Sequence, residues 1–170
     1  MLAVQDLSSF PAEFTPYEDD VVFAAQDSAG YEPWKYNGSV ATRIADINPA
    51  GSSFPSEFTV VGSNLYFSAS AGNNEFRLWK YDGATVSMVL DISGMAPREP
   101  SNLVHANGLL FFVADDGTHG PELWRSNGTA AGTEMVKEIF PGDTTLSGPD
   151  QLTAVNNTLY FTAYEHLTGW

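Results

Sequence analysis

The chain has 170 residues, 43% of them hydrophobic, with seven Lys and Arg against twenty-one Asp and Glu and a net charge of −14. That balance argues against nucleic acid, which is held chiefly through phosphate neutralisation by Lys and Arg, and against an anionic membrane surface, while the apolar content argues against a disordered polymer. Without cysteine neither disulfides nor thiolate metal sites can form, and no apolar run approaches the roughly 18 residues of a membrane span.

In chain order, "MLAVQDLSSF" lacks the basic and apolar regions of a signal peptide. Four copies of one pattern follow. Pro11, Pro55, Pro100 and Pro149 are each followed three residues later by Phe14, Phe58, Leu103 and Leu152, and nine residues after those by Phe23, Phe67, Phe112 and Phe161. Trp34, Trp79 and Trp124 then recur forty-five residues apart, in "EPWKYNG", "RLWKYDG" and "ELWRSNG". Self-similarity at this period signals a solenoid, propeller or array.

The third copy spells out the unit. "PSNLVHA" (Pro100 to Ala106) alternates apolar and polar residues, Asn107-Gly108 turns the chain, and "LLFFVA" (Leu109 to Ala114) returns as a second strand. Two such runs joined by Asn-Gly make a hairpin. Glu18-Asp19, Gly62-Ser63 and Asn156-Asn157 hold the same place in the other copies. "DDGTHG" turns into "PELWRS", and "NGTAAGT" turns into a fourth strand ending at Glu138, equivalent to Asp6, Asp46 and Asp91.

These runs predict an all-β fold: a partial β-propeller of four-stranded antiparallel blades, each about 45 residues long. Apolar residues at helical spacing are missing, which rules against helical solenoids. A β-sandwich also fits short strands, but nothing in that fold makes turns and Trp recur at a fixed period. Residues 1–7 read as the last strand of a preceding blade, 8–47, 48–92 and 93–139 as three blades, and 140–170 as the first two strands of an incomplete one. The copy that stops at Trp170 suggests a fragment, its missing blades supplied by a longer chain or a second copy.

Each prominent residue has a plain reading beside a functional one. Trp34, Trp79 and Trp124 could form a sugar-stacking platform, but large aromatics mostly pack between sheets; Phe23, Phe67, Phe112 and Phe161 read as core. Lys35, Lys80 and Arg125 follow each Trp and read as surface partners of acidic residues rather than an anion-binding ring. Asp6, Asp46, Asp91 and Glu138 read as ion-pair or loop-capping groups. Asp115, Asp116 and Glu122, around Gly117 and Gly120, are weak candidates for Ca²⁺, which takes oxygen ligands. Their spacing is not that of an EF-hand, and the other copies lack the acids. His105, His119 and His166 have no ligand-like spacing. No catalytic or cofactor motif stands out, and Asn37, Asn127 and Asn156, though in glycosylation-type triplets, read as turn residues.

"PELWRSNGTAAGTEMVKEIFPG" (Pro121 to Gly142) resembles the ELWxxDGTxxGT repeat family of bacterial secreted and surface proteins. The match runs through Glu122-Leu123-Trp124, Asn127-Gly128-Thr129 (Asn127 where the family has Asp) and Gly132-Thr133. The resemblance implies an exported, propeller-like repeat protein without catalytic residues to carry over. The expected function is therefore a non-enzymatic binding or scaffold module at the cell surface, its ligand a protein or a glycan, with no nucleic acid and no membrane insertion. A fragment of a propeller hydrolase or lyase whose catalytic residues lie elsewhere, and a phage or virion fibre component, are the alternatives.

Overall fold

Alternating runs bounded by turn residues fold as strands because each places one apolar row on a face that another sheet can cover. The computed structural model describes residues 9–89, 98–139, 141 and 148–163. Among these residues the chain is all-β. The strands are β1 (Ala12–Tyr17), β2 (Asp20–Asp27), β3 (Gly30–Tyr36), β4 (Ala41–Arg43), β5 (Ser56–Val61), β6 (Asn64–Ser70) and β7 (Phe76–Tyr81). They continue as β8 (Val86–Met88), β9 (Arg98–Ala106), β10 (Leu109–Asp115), β11 (Pro121–Ser126), β12 (Thr133–Lys137), β13 (Asp150–Val155) and β14 (Thr158–Thr162). A short 3-10 turn, Ala130–Gly132, precedes β12, and no helix is long and apolar enough to cross a membrane.

The strands form four antiparallel sheets, ordered β1-β2-β3-β4, β5-β6-β7-β8, β9-β10-β11-β12 and β13-β14. Each first hairpin closes on two residues, between the pairs Tyr17–Asp20, Val61–Asn64, Ala106–Leu109 and Val155–Thr158. Asn107-Gly108 and Asn156-Asn157 are left-handed at both turn positions, the conformation for which Asn and Gly are suited. In the three larger sheets the aromatic rows face each other across the second and third strands: Phe23 opposite Trp34, Phe67 opposite Trp79, Phe112 opposite Trp124.

The chain divides into two compact units, Met1–Ser87 and Met88–Trp170. In the first, Val22 and Ala24 of β2 and Tyr17 of β1 pack against Phe58, Leu65, Phe67, Ala69 and Tyr81 of the second sheet. Phe58 and Phe67 lie 5.3 Å apart between ring centres, Tyr17 and Tyr81 5.6 Å. Burying one such side chain stabilises by about 1.5–3 kcal/mol. The Tyr17 hydroxyl donates to the Ser63 carbonyl at 2.8 Å, so its ring is buried with its polar end satisfied. In the second unit, Val113 and Leu123 of the third sheet pack against Leu152 of the fourth, with Val104, Phe111, Ile139 and Leu159 around them. Ala24 and Val113 occupy one repeat position, and Phe58 and Leu152 another, so both units join successive sheets through the same faces.

Phe23, Phe67 and Phe112 are core residues, 0–3% exposed. Phe161 departs from the expectation: it is 40% exposed. It shares a face with Leu159, and among the described residues no strand pairs with the second edge of β14, as the Trp-bearing strand does beside the other three Phe. Residues 1–7, Asp6, Asp91, His166 and Trp170 lie outside the described residues.

Candidate functional site

The first strand of each copy carries a device that the sequence reading missed. Glu13, Glu57, Asn102 and Gln151, each two residues after the repeat proline, have φ of 61°, 63°, 54° and 55°. The ladder register slips around each of them. A left-handed residue at such a slip is a β-bulge that bends the strand and re-aims a side chain. Left-handed Glu and Gln are uncommon, and the structure supplies a local brace. Thr15, Thr59 and Thr153 donate their hydroxyls to the carbonyls of Glu13, Glu57 and Gln151 at 3.1–3.2 Å. The signal in the sequence was the recurring Thr two residues after an amide or acid; Val104 replaces it in the third copy.

The bulges differ chemically between the units. In the first, both side chains are carboxylates, and Glu13 Oε2 accepts from the Glu57 amide at 3.3 Å, tying β1 to β5. In the second they are the amides of Asn102 and Gln151, which border a cavity of about 510 Å³ with Gly148, Pro149, Asp150, Thr162 and Ala163. Of these, Pro149 is fully buried. Asp150 Oδ1 accepts from the Gln151 amide at 2.7 Å, and Thr162 donates to the Asp150 carbonyl at 3.1 Å. A Cβ on Gly148 would stand 2.5 Å from the Pro121 carbonyl oxygen, so only glycine lets the backbone pass this close. The residues lining the cavity thus include two side-chain amides, one carboxylate and a hydroxyl.

The weak calcium candidates are not gathered into one set. Glu122 is fully buried, and both its oxygens accept from the Ile139 amide at 2.9–3.0 Å. Asp115 accepts from the Gly117 amide. Asp116 accepts from the Thr118 and His119 amides and meets His119 Nδ1 at 2.7 Å. Their oxygens are engaged by backbone donors and one imidazole, and no group of three or more His, Asp or Glu that could hold an ion occurs among the described residues. Burial pushes the Asp116 carboxyl up, but the hydrogen bonds from the His119 amide and ring and from the Thr118 amide outweigh it and hold it below its ordinary value. The ring bond to Asp116 raises His119 above the usual imidazole range, against partial desolvation.

Glu32 is the counterpart of Glu122 in the first copy, and its geometry explains the Glu of "ELW". Also fully buried, it accepts from the Ile47 amide, the Ser53 amide and the Ser53 hydroxyl at 2.7–2.9 Å. The carboxylate pins the crossover into the next copy onto β3, and Glu122 does so on β11. Desolvation pushes the Glu32 carboxyl above its ordinary value despite the opposing bonds from Ser53 and Ile47. Arg77 takes the place of this Glu in the second copy.

The other recurrent positions are structural. Trp79 and Trp124 donate Nε1–H to the Ala69 and Ala114 carbonyls at 2.9 Å, whereas Trp34 Nε1 is buried with no partner among the described residues. Lys35 reaches Asp20 at 3.4 Å and sits 5.9 Å from the Tyr81 ring centre. Arg125 bonds Glu134 on β12, and Asp46 lies 3.8 Å from Arg43. Asn37, Asp82 and Asn127 each accept from the backbone amide two residues on, the Asx-turn that makes Asn and Asp turn residues. His105 is exposed at the end of β9. No family model and no curated protein matches the chain.

Proposed function

We propose that the chain is a stretch of a β-propeller, of the ELWxxDGTxxGT kind, that serves outside the cell as a non-enzymatic binding or scaffold module. The observation that carries this reading is the division of labour among its residues. Positions that recur, Phe67 and Phe112, Trp79 and Trp124, Glu32 and Glu122, are spent on joining strands, sheets and crossovers. Positions that vary sit at bulges and loops, where recognition is usually placed. The cavity beside Asn102 and Gln151 is the candidate binding site, and its amides, carboxylate and hydroxyl suit a hydroxyl-rich ligand such as a glycan.

Saturation-transfer NMR of the full chain against a panel of neutral oligosaccharides tests the reading. Binding of one class, lost in Asn102→Ala and Gln151→Ala with the amide spectrum otherwise kept, is the expected result. Hydrolysis or elimination of any of those sugars by the wild-type chain would overturn the non-enzymatic assignment.

A further inference from the structure

We infer that Asn37 is a self-modifying site, converted to aspartate and isoaspartate through attack of the Gly38 amide nitrogen, while the equivalent Asn127 is protected. Asn37-Gly38, Asp82-Gly83 and Asn127-Gly128 hold the same place in three successive copies, after β3, β7 and β11. The three glycines share one left-handed conformation, with φ of 87°, 92° and 87°. What differs is the residue before each pair. Tyr36 and Tyr81 donate their hydroxyls to the Gly38 and Gly83 carbonyls at 2.8 and 2.7 Å, contacts that leave the glycine nitrogen alone. Ser126 instead accepts from the Gly128 amide at 2.9 Å, through a buried hydroxyl that also bonds Thr133.

The reaction needs only the Gly38 nitrogen, the Asn37 side-chain carbonyl carbon and water. The nitrogen gives up its proton and bonds to Cγ; the Cγ–Nδ2 bond breaks, and ammonia leaves with that proton. The five-membered imide then takes up one water. Opening at the Cγ–N bond gives aspartate, and opening at the backbone C–N bond gives isoaspartate. Residues Asn37 through Val40 are exposed, a Cβ on Gly38 would meet nothing within 4 Å, and the Gly38 amide has no acceptor among the described residues. At Asn127 the nucleophile is held by Ser126. The Asn127 side chain also lies against Gly132, its Oδ1 accepting from the Thr129 amide and hydroxyl at 3.0 and 2.7 Å. Asn107-Gly108 sits in the left-handed hairpin turn closed by the Ala106–Leu109 pair, which must open before the ring can form. The second copy shows how the turn takes the product. Asp82 Oδ1 accepts from the Ala84 and Thr85 amides at 3.0 and 2.7 Å, as Asn37 Oδ1 does from those of Ser39 and Val40 at 3.0 and 2.9 Å. Aspartate at this position keeps the turn, whereas isoaspartate adds one carbon to the backbone and breaks it.

The test incubates the full chain at neutral and at mildly alkaline pH and follows each Asn by peptide-mapping mass spectrometry. Asn37 should lose its amide at least about tenfold faster than Asn127, a barrier difference of about 1.4 kcal/mol. The rate should rise with pH, because the deprotonated nitrogen attacks. In concentrated urea the Asn-Gly pairs at 37, 107 and 127 should react alike, since the difference belongs to the fold. Ser126→Ala frees the Gly128 amide and should bring Asn127 toward the rate of Asn37. The inference is overturned by an Asn37 that stays intact in the native chain while reacting in urea, or by equal native rates at Asn37 and Asn127. An unchanged Asn127 rate in Ser126→Ala, with the amide spectrum otherwise kept, overturns it too. The reaction involves no ligand, so it stands or fails independently of sugar binding by the cavity.

Discussion

Glu32 and Glu122 show how one side chain can hold a repeat together. A carboxylate removed from water is costly unless its oxygens are bonded, and here the bonds come from amides of the crossover, Ile47 and Ser53 for Glu32 and Ile139 for Glu122. Glu32→Ala leaves the Ile47 amide unpaired, while the Ser53 amide and hydroxyl keep the Tyr31 carbonyl as an acceptor, and it should cost about 1–3 kcal/mol in chemical denaturation. Glu32→Gln turns an NH₂ toward an N–H and should fall in the same range. Because burial raises the Glu32 carboxyl, its contribution is fully present below the ordinary Glu range and lost as pH rises through the raised value. The stability gap between wild type and Glu32→Gln should therefore shrink across that acid window. His119 follows the same sign. Its pairing with Asp116 is fully present below the ordinary imidazole pKa and fades as pH rises through the raised one. Asp116→Asn should return the His119 titration, followed by NMR, toward the ordinary value; an unchanged midpoint would show that Asp116 does not set it.

At the level of the strand, the third strand decides how well each sheet is closed. Trp79 and Trp124 reach an Ala carbonyl across the ladder, and Trp34 reaches none. Trp→Phe at each site removes similar volume, so the difference among the three isolates the indole hydrogen bond. Trp79→Phe and Trp124→Phe should each lose about 1 kcal/mol more than Trp34→Phe, where a buried orphan donor is removed. Equal losses in thermal melts would mean packing alone matters. The strands and their hairpins were legible from alternation and from two-residue turns, because both are local properties of the chain. The bulges were not. Nothing in the side chains of Glu13, Glu57 or Gln151 favours a left-handed backbone, and although the Thr two residues on recurs in the sequence, its role as a brace shows only in the folded strand.

For the molecule as a whole, each of the two units carries its own core between neighbouring sheets. The first unit has its own core, from Tyr17 and Val22 through Phe67 and Tyr81. A polypeptide of residues 9–87 should therefore show a β-type circular dichroism spectrum and a cooperative thermal transition of its own. A broad, non-cooperative melt would show that this core does not suffice.

By itself the amino-acid sequence determined the period, the all-β class and the hairpins, since strand alternation and turn chemistry act over a few neighbouring residues. Only the tertiary structure decided what the recurrent Glu is for, because its partners lie 15 to 21 residues away along the chain. It also decided that Phe161, at the repeat position of three core residues, is partly bare. Burial belongs to the strand alongside, and no property of a residue's own segment supplies that neighbour.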